Sequence, residues 1–103
     1  MGEKRIEIVT ESMFYTLMAF TAKDGSGAEA AAFTERISNG RVRLGPATIY
    51  TILGRFEKEG VIKEIRRDGR SRIYTLTGKG KRMYENECRR METCLRDAAK
   101  GSF

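Results

Sequence analysis

Residues Leu44 to Gly60, LGPATIYTILGRFEKEG, read as one helix with a marked start and a marked stop. Gly45 suits an N-cap, and Pro46 suits the first turn, where a missing N–H has no partner to lose. Gly60 follows Glu59 at the place where a C-terminal glycine takes the left-handed conformation. Ile49, Ile52, Leu53 and Phe56 recur at the i, i+3, i+4, i+7 spacing of one helical face. The opposite face carries Thr48, Tyr50, Thr51, Arg55 and Lys58, with no carboxylate before Glu57. A polar, partly aromatic and positive outer face suits nucleic acid, or merely solvent. The remainder of the chain weighs between the two.

The charge is unevenly placed. Residues 1–40 hold 4 Lys and Arg against 6 Asp and Glu, residues 41–82 hold 12 against 4, and residues 83–103 hold 4 against 4. The whole surplus of +6 therefore sits in the segment that contains the helix above. A localised excess is the footprint of a polyanion-binding face, whereas a surface charged for solubility alone spreads its charge. At 103 residues the chain makes one domain with an appended helix, and its modest core would gain from pairing with a second copy. No apolar run approaches the roughly 18 residues of a membrane span, and MGEKRIEIVTES lacks the apolar core and cleavage site of a signal peptide, so a cytoplasmic protein is expected. The absence of histidine removes Ser-His-Asp and Cys-His nucleophile systems and most mixed zinc sites. No enzyme, metal site or cofactor is expected. Cys88 and Cys94 lie six apart in a helical pattern and point away from each other, which argues against a bridge between them.

Upstream, Ile6, Ile8 and Val9 either dock on the body or fray. Thr10 caps a first helix carrying Met13, Phe14, Leu17, Met18 and Phe20, apolar over an arc wide enough to serve both a core and a partner. Lys23 to Gly27 is a turn, and Ala28 to Ser38 a second helix with Ala31, Ala32, Phe33 and Ile37 inward, ended by Asn39-Gly40. Arg41-Val42-Arg43 is a short extended link with both arginines on one side. Downstream, Val61 to Arg67 and Ser71 to Leu76 form a hairpin about Asp68-Gly69, with Val61, Ile62, Ile65, Ile73, Tyr74 and Leu76 as its apolar positions. Lys63, Arg66, Arg67, Arg70 and Arg72 crowd that hairpin and repel one another unless an anion sits among them. Thr77 then caps a last helix, Gly78 to about Ala99, in which Tyr84, Cys88, Met91, Leu95 and Ala98 step by 4, 3, 4, 3 as a heptad seam. Such a seam docks on a second subunit's first helix or folds back on its own domain; the former is favoured because three helices and a ribbon already fill one core.

The order helix, helix, helix, strand, strand, helix is that of an α+β, mainly helical, winged helix-turn-helix with an added C-terminal dimerisation helix. Residues 1–77 are the DNA-binding domain and 78–103 the dimerisation helix and tail.

The sequence also resembles the PadR family of bacterial transcriptional regulators. The resemblance rests on Thr10-Glu11-Ser12-Met13-Phe14-Tyr15, Leu44-Gly45-Pro46-Ala47-Thr48-Ile49-Tyr50, Phe56-Glu57-Lys58-Glu59-Gly60-Val61-Ile62, and Arg72-Ile73-Tyr74-Thr75-Leu76-Thr77 with Gly80. It covers nearly the whole chain after residue 9 and is nearest to the small subgroup with a single C-terminal helix. It implies a homodimeric repressor whose C-terminal helix crosses onto the partner's first helix. It further implies that Thr48 and Tyr50 contact DNA backbone and that the wing arginines reach phosphate or minor groove. One departure is Gly27-Ala28-Glu29, where members often carry an aromatic residue between the glycine and the acid.

The reading is therefore a dimeric, sequence-specific regulator of double-stranded DNA, a repressor released by a small apolar or aromatic effector. Its expected DNA contacts are Arg41, Arg43, Thr48, Tyr50, Thr51, Arg55, Lys58, Lys63, Arg66, Arg67, Arg70 and Arg72. Its expected dimer contacts are Phe14, Leu17, Met18, Tyr84, Cys88, Met91, Leu95 and Ala98. The competing reading is a winged helix that binds protein and not specific DNA, since fold does not fix function. Cysteines in a heptad seam are more simply apolar fillers than redox sensors, and Phe14, Met18, Tyr84 and Met91 more simply core than an effector pocket.

Overall fold

The computed structural model of the chain describes residues 5–101. Its elements follow in the order α1 (Glu11–Ala22), α2 (Gly27–Ile37), α3 (Pro46–Lys58), β1 (Ile62–Asp68), β2 (Ser71–Leu76) and α4 (Gly78–Lys100). The architecture is the winged helix-turn-helix with a C-terminal helix that the sequence pattern implies.

Each boundary has a local cause. Thr10, Ser26 and Thr77 are side-chain N-caps of α1, α2 and α4, and Ser26 with Glu29 completes a reciprocal capping box. The α3 exit is a Schellman closure. The Val61 N–H donates to the Phe56 carbonyl at 2.8 Å and the Gly60 N–H to the Glu57 carbonyl at 3.1 Å. Gly60 sits at φ 71°, where a side chain would be strained. The same closure ends α2, with Asn39 at φ 52° and the Gly40 N–H bonded to the Glu35 carbonyl at 2.7 Å.

The core lies where α1, α2 and α3 meet the hairpin, and Leu17, Phe56 and Val61 are wholly buried in it. Ile6 and Val9 pack against this core from the N-terminal segment, whereas Ile8 points to solvent. The start of α4 is tied down closely: a Cβ on Gly80 would come 2.3 Å from the Val61 carbonyl oxygen. The whole of α4 is 23 residues long, and beyond Met91 it leaves the body. The radius of gyration of 14.8 Å and the longest dimension of 55 Å reflect this projection, against about 13 Å for the gyration radius of a compact 100-residue domain.

Four expectations need correction. The first concerns α2, which buries Gly27, Ala30 and Thr34, with Ala31 and Phe33 half-buried and Ala32 and Ile37 exposed. The expected inner face, Ala31, Ala32, Phe33 and Ile37, is thus rotated onto Gly27, Ala30 and Thr34, where α3 approaches closely; a Cβ on Gly27 would lie 2.7 Å from Leu53 Cδ1. Thr34 tolerates full burial because its hydroxyl donates to the Ala30 carbonyl at 2.9 Å. The second is Ile65, 41% exposed, which falls at a bulge between Glu64 and Arg66 that takes it out of register with β2. The third is the α1–α2 turn, which is more than a turn. Gly25 exchanges two backbone hydrogen bonds with Tyr74, at 3.1 and 2.8 Å, and so lays a one-residue third strand beside β2. The fourth is the last helix, which continues to Lys100 with Gly101 as its cap. Of the expected tail, Ser102 and Phe103 lie outside the described residues.

Candidate nucleic-acid interface

The two faces of α3 separate cleanly. Ile49, Ile52, Leu53 and Phe56 are buried, and Thr48, Tyr50, Thr51, Gly54 and Lys58 are exposed. Tyr50 shows 67% of its surface although it is a large aromatic residue. In the free chain the Thr51 hydroxyl donates to the Ala47 carbonyl at 2.9 Å, in an exposed position. Arg55 lies half-buried with Glu59 at 3.9 Å. Glu59 in turn accepts the Ile6 N–H at 2.9 Å, and its carbonyl accepts Lys79 Nζ at 2.7 Å. The N-terminal segment and α4 therefore both brace the exit of this helix.

At the other end, the N-cap of α3 is Gly45, which makes no side-chain cap bond, and the first turn holds no acid. The Ala47 and Thr48 end is exposed, so the first-turn N–H groups look toward solvent. Such an end is electrostatically suited to an anion.

The hairpin stands beside this helix as a wing. Its tip is Gly69 at φ 61°, with Arg67, Arg70 and Lys63 exposed along the ribbon. Arginine repulsion was expected here without an external anion, but carboxylates of the chain itself sit among them. Arg66 pairs with Asp68 at 3.3 Å, largely in solvent, and the exposed Arg67 pairs at 3.3 Å with the half-buried Glu64. Exposed pairs of this sort contribute about 0–1 kcal/mol and exchange readily.

Two of the expected contacts are differently employed. Arg41 donates to Glu11 at 2.9 Å and to the Tyr15 hydroxyl at 2.8 Å, which fastens the helix-turn-helix link to α1. Arg72 donates to Glu57 of α3 at 2.6 Å and, through Nε, to Glu64 of β1. The Arg72 hydrogen bond is the main reason that the Glu64 carboxyl titrates below the usual range. In the free chain both guanidinium groups have carboxylate partners of their own, although the Arg41 side chain stays 58% exposed. Arg43 stays exposed beside Glu35 at 3.5 Å. The pairing of Glu57 and Glu64 with Arg72 was not read from the sequence, although acids flanking the helix exit and β1 were its available signal.

The seam residues divide likewise. Phe14 stacks on Tyr84 of the same chain, with centroids 5.3 Å apart and planes 17° apart. Burial of that ring raises the Tyr84 phenol above its ordinary range. Met18, Cys88 and Met91 are half-buried, while Leu95, 72% exposed, and Ala98 face solvent. Leu17 is a correction: it is wholly enclosed in its own core, so no partner can reach its side chain. Glu87 is buried and held by Arg90 at 2.6 Å. Among the described residues no helix is long and apolar enough to cross a membrane, and no acid or cysteine cluster suits a metal.

The model of the Transcriptional regulator PadR-like family matches residues 16–86. Among solved structures, the chain is similar to a transcriptional regulator from Clostridium thermocellum at 22% identity, covering 87% of this chain and 91% of that one, with a TM-score of 0.74. It is similar to a PadR family transcription regulator from Clostridium difficile at 22% identity, covering 85% and 96%, with a TM-score of 0.66. It is also similar to Bacillus subtilis PadR in complex with operator DNA at 20% identity, covering 76% of this chain and 47% of that one, with a TM-score of 0.65. At these identities the likeness establishes the fold. No curated protein matches the chain.

Proposed function

This chain belongs to the PadR-like family of transcriptional regulators, and from that premise we propose that it binds specific double-stranded DNA as a homodimer. The observation that carries the reading is the exposed face of α3 continuous with the basic wing. Thr48, Tyr50 and Thr51 position the phosphate backbone, and Arg55 and Lys58 reach toward the major groove. Arg43, Lys63, Arg66, Arg67 and Arg70 supply the sequence-independent attraction. The likeness to a Bacillus subtilis protein solved with operator DNA supports DNA as the partner.

The second copy docks on the exposed seam of α4. Residues 92–100 of that helix are all exposed, and Leu95 and Ala98 continue the apolar stripe begun by Tyr84, Cys88 and Met91. In this reading residues 78–103 act as the dimerisation segment of the winged helix in residues 1–77, within the cytoplasm. The protein represses, and an apolar or aromatic effector releases it. A surface pocket of about 370 Å³ beside the seam is lined by Val9, Phe14, Tyr15 and Met91 together with the charged Glu11, Arg41, Glu87 and Arg90, and it is the place where such a ligand would be sought. Release requires the effector to prefer one dimer geometry.

Selection from a random DNA pool tests the reading. The expected product is a near-palindrome with half-sites ~34 Å apart. A pool that stays random, together with undiminished binding of a protein partner by an R67A/R70A variant, would favour the protein-binding alternative.

A further inference from the structure

Arg72 is built unlike the other wing arginines. Its guanidinium bridges two elements, donating to Glu57 of α3 at 2.6 Å and to Glu64 of β1. Its guanidinium carbon lies 5.1 Å from the centroid of the Tyr74 ring, and Tyr74 is 4% exposed and bonded through its backbone to Gly25. The side chains of Arg72, Glu57 and Glu64 are 39%, 37% and 27% exposed, so water competes only in part. Arg66 and Arg67, in contrast, are 58% and 62% exposed and pair only within the hairpin.

The hairpin is a two-stranded ribbon, joined to α3 by Glu59-Gly60-Val61. An isolated ribbon of this size holds its direction poorly. A planar fork that grips one carboxylate on the helix and another on the ribbon removes that freedom. We propose that Arg72 is a positioning residue: with Glu57 and Glu64 it fixes the angle of the wing against α3 and does not itself contact DNA. The proposal rests on the DNA-binding reading only for its functional consequence, since the clamp is a property of the free protein.

The test has two arms. In the first, spin labels at Thr51 and Arg70 report the helix-to-wing-tip distance in the absence of DNA. The clamp predicts one narrow distribution for the otherwise unaltered protein and a broadened one for R72M and for E57Q/E64Q. R72K should also broaden it, because an ammonium cannot span both acids. An unchanged width in all three overturns the proposal, and R72K and E57Q/E64Q keep the test valid should R72M misfold. In the second arm, DNA affinity is titrated against salt. Loss of a phosphate contact lowers the salt slope by about one, as expected for R67A. R72M should weaken binding about tenfold with the slope unchanged, and E57Q/E64Q should weaken it several-fold. If Arg72 touched phosphate, R72M would lower the slope by about one. Removing the two acids would then leave binding equal or tighter, and either result overturns the proposal. If no variant binds DNA, the functional reading fails and the distance arm still decides the clamp.

Discussion

The outer face of α3 with its wing and the outer stripe of α4 are both exposed, but they are exposed in different ways. The first is polar and cationic, and its long side chains are braced from behind by Glu57, Glu59 and Glu64. The second is an apolar seam on a helix that leaves its own body after Met91, with Leu95 72% exposed. A charged face in water is stable as it stands and needs a polyanion only for function. An apolar stripe in water is an incomplete core, which the proposed second copy would complete. On that proposal one surface is shaped to exchange its partner and the other to keep it.

The deepest way to break the comparison is to remove what both faces rest on. Phe56 is wholly buried at the end of α3 and meets the hairpin through Val61. Phe56→Ala should cost about 3–5 kcal/mol, enough to abolish both functions near physiological temperature. Chemical denaturation measures the loss; a cost under 1 kcal/mol would mean that the two faces do not share this core.

The next largest effect separates the faces. Leu95→Glu puts a charge in the stripe at a position that is 72% exposed and outside the core, so the monomer should stay folded. Sedimentation should show monomers, and DNA affinity should drop about 100-fold as the second half-site becomes a separate binding event. A folded monomer that keeps full affinity would make α4 irrelevant to recognition.

A smaller effect marks the charged face. R67A/R70A should weaken DNA binding roughly tenfold and lower the salt slope by about two, while the dimer is untouched. Simultaneous loss of the dimer would show the faces to be coupled.

The smallest effect concerns acid. Arg72, aided by Arg67, holds the Glu64 carboxyl below its usual range against the opposing effect of burial. The folded state therefore favours the carboxylate, and this stability is fully present above the unfolded value of about 4.3. It is lost as pH falls from there through the lower folded value. The melting difference between the parent chain and E64Q should shrink across that window and stay constant above it. A difference that persists at the lowest pH would detach Glu64 from this titration.

The legible parts of the molecule were those written in local pattern. The α3 span, its inner face, the caps Thr10 and Thr77, and the hairpin about Asp68-Gly69 follow from periodicity and turn chemistry. What depended on a partner distant in sequence was not legible. The small inner face of α2 exists because Leu53 approaches Gly27, which no period in α2 reveals. Gly25 reads as a turn because its strand partner, Tyr74, is 49 residues away. Arg72 reads as one more wing cation because Glu57 and Glu64 sit on other elements, and only the folded register brings all three together. Leu17 belongs to the same wide apolar arc as Phe14 and Met18, and sequence cannot divide that arc between core and surface.

The central claim is that the α3 and wing face engages DNA phosphates, and one titration tests it most directly. Affinity for the selected duplex is measured from 50 to 200 mM salt, a range over which a protein making several phosphate contacts loses affinity by orders of magnitude. Phosphate contacts across this face should give a linear fall of log K against log salt with a slope of about −5 or steeper. A slope near zero would contradict it.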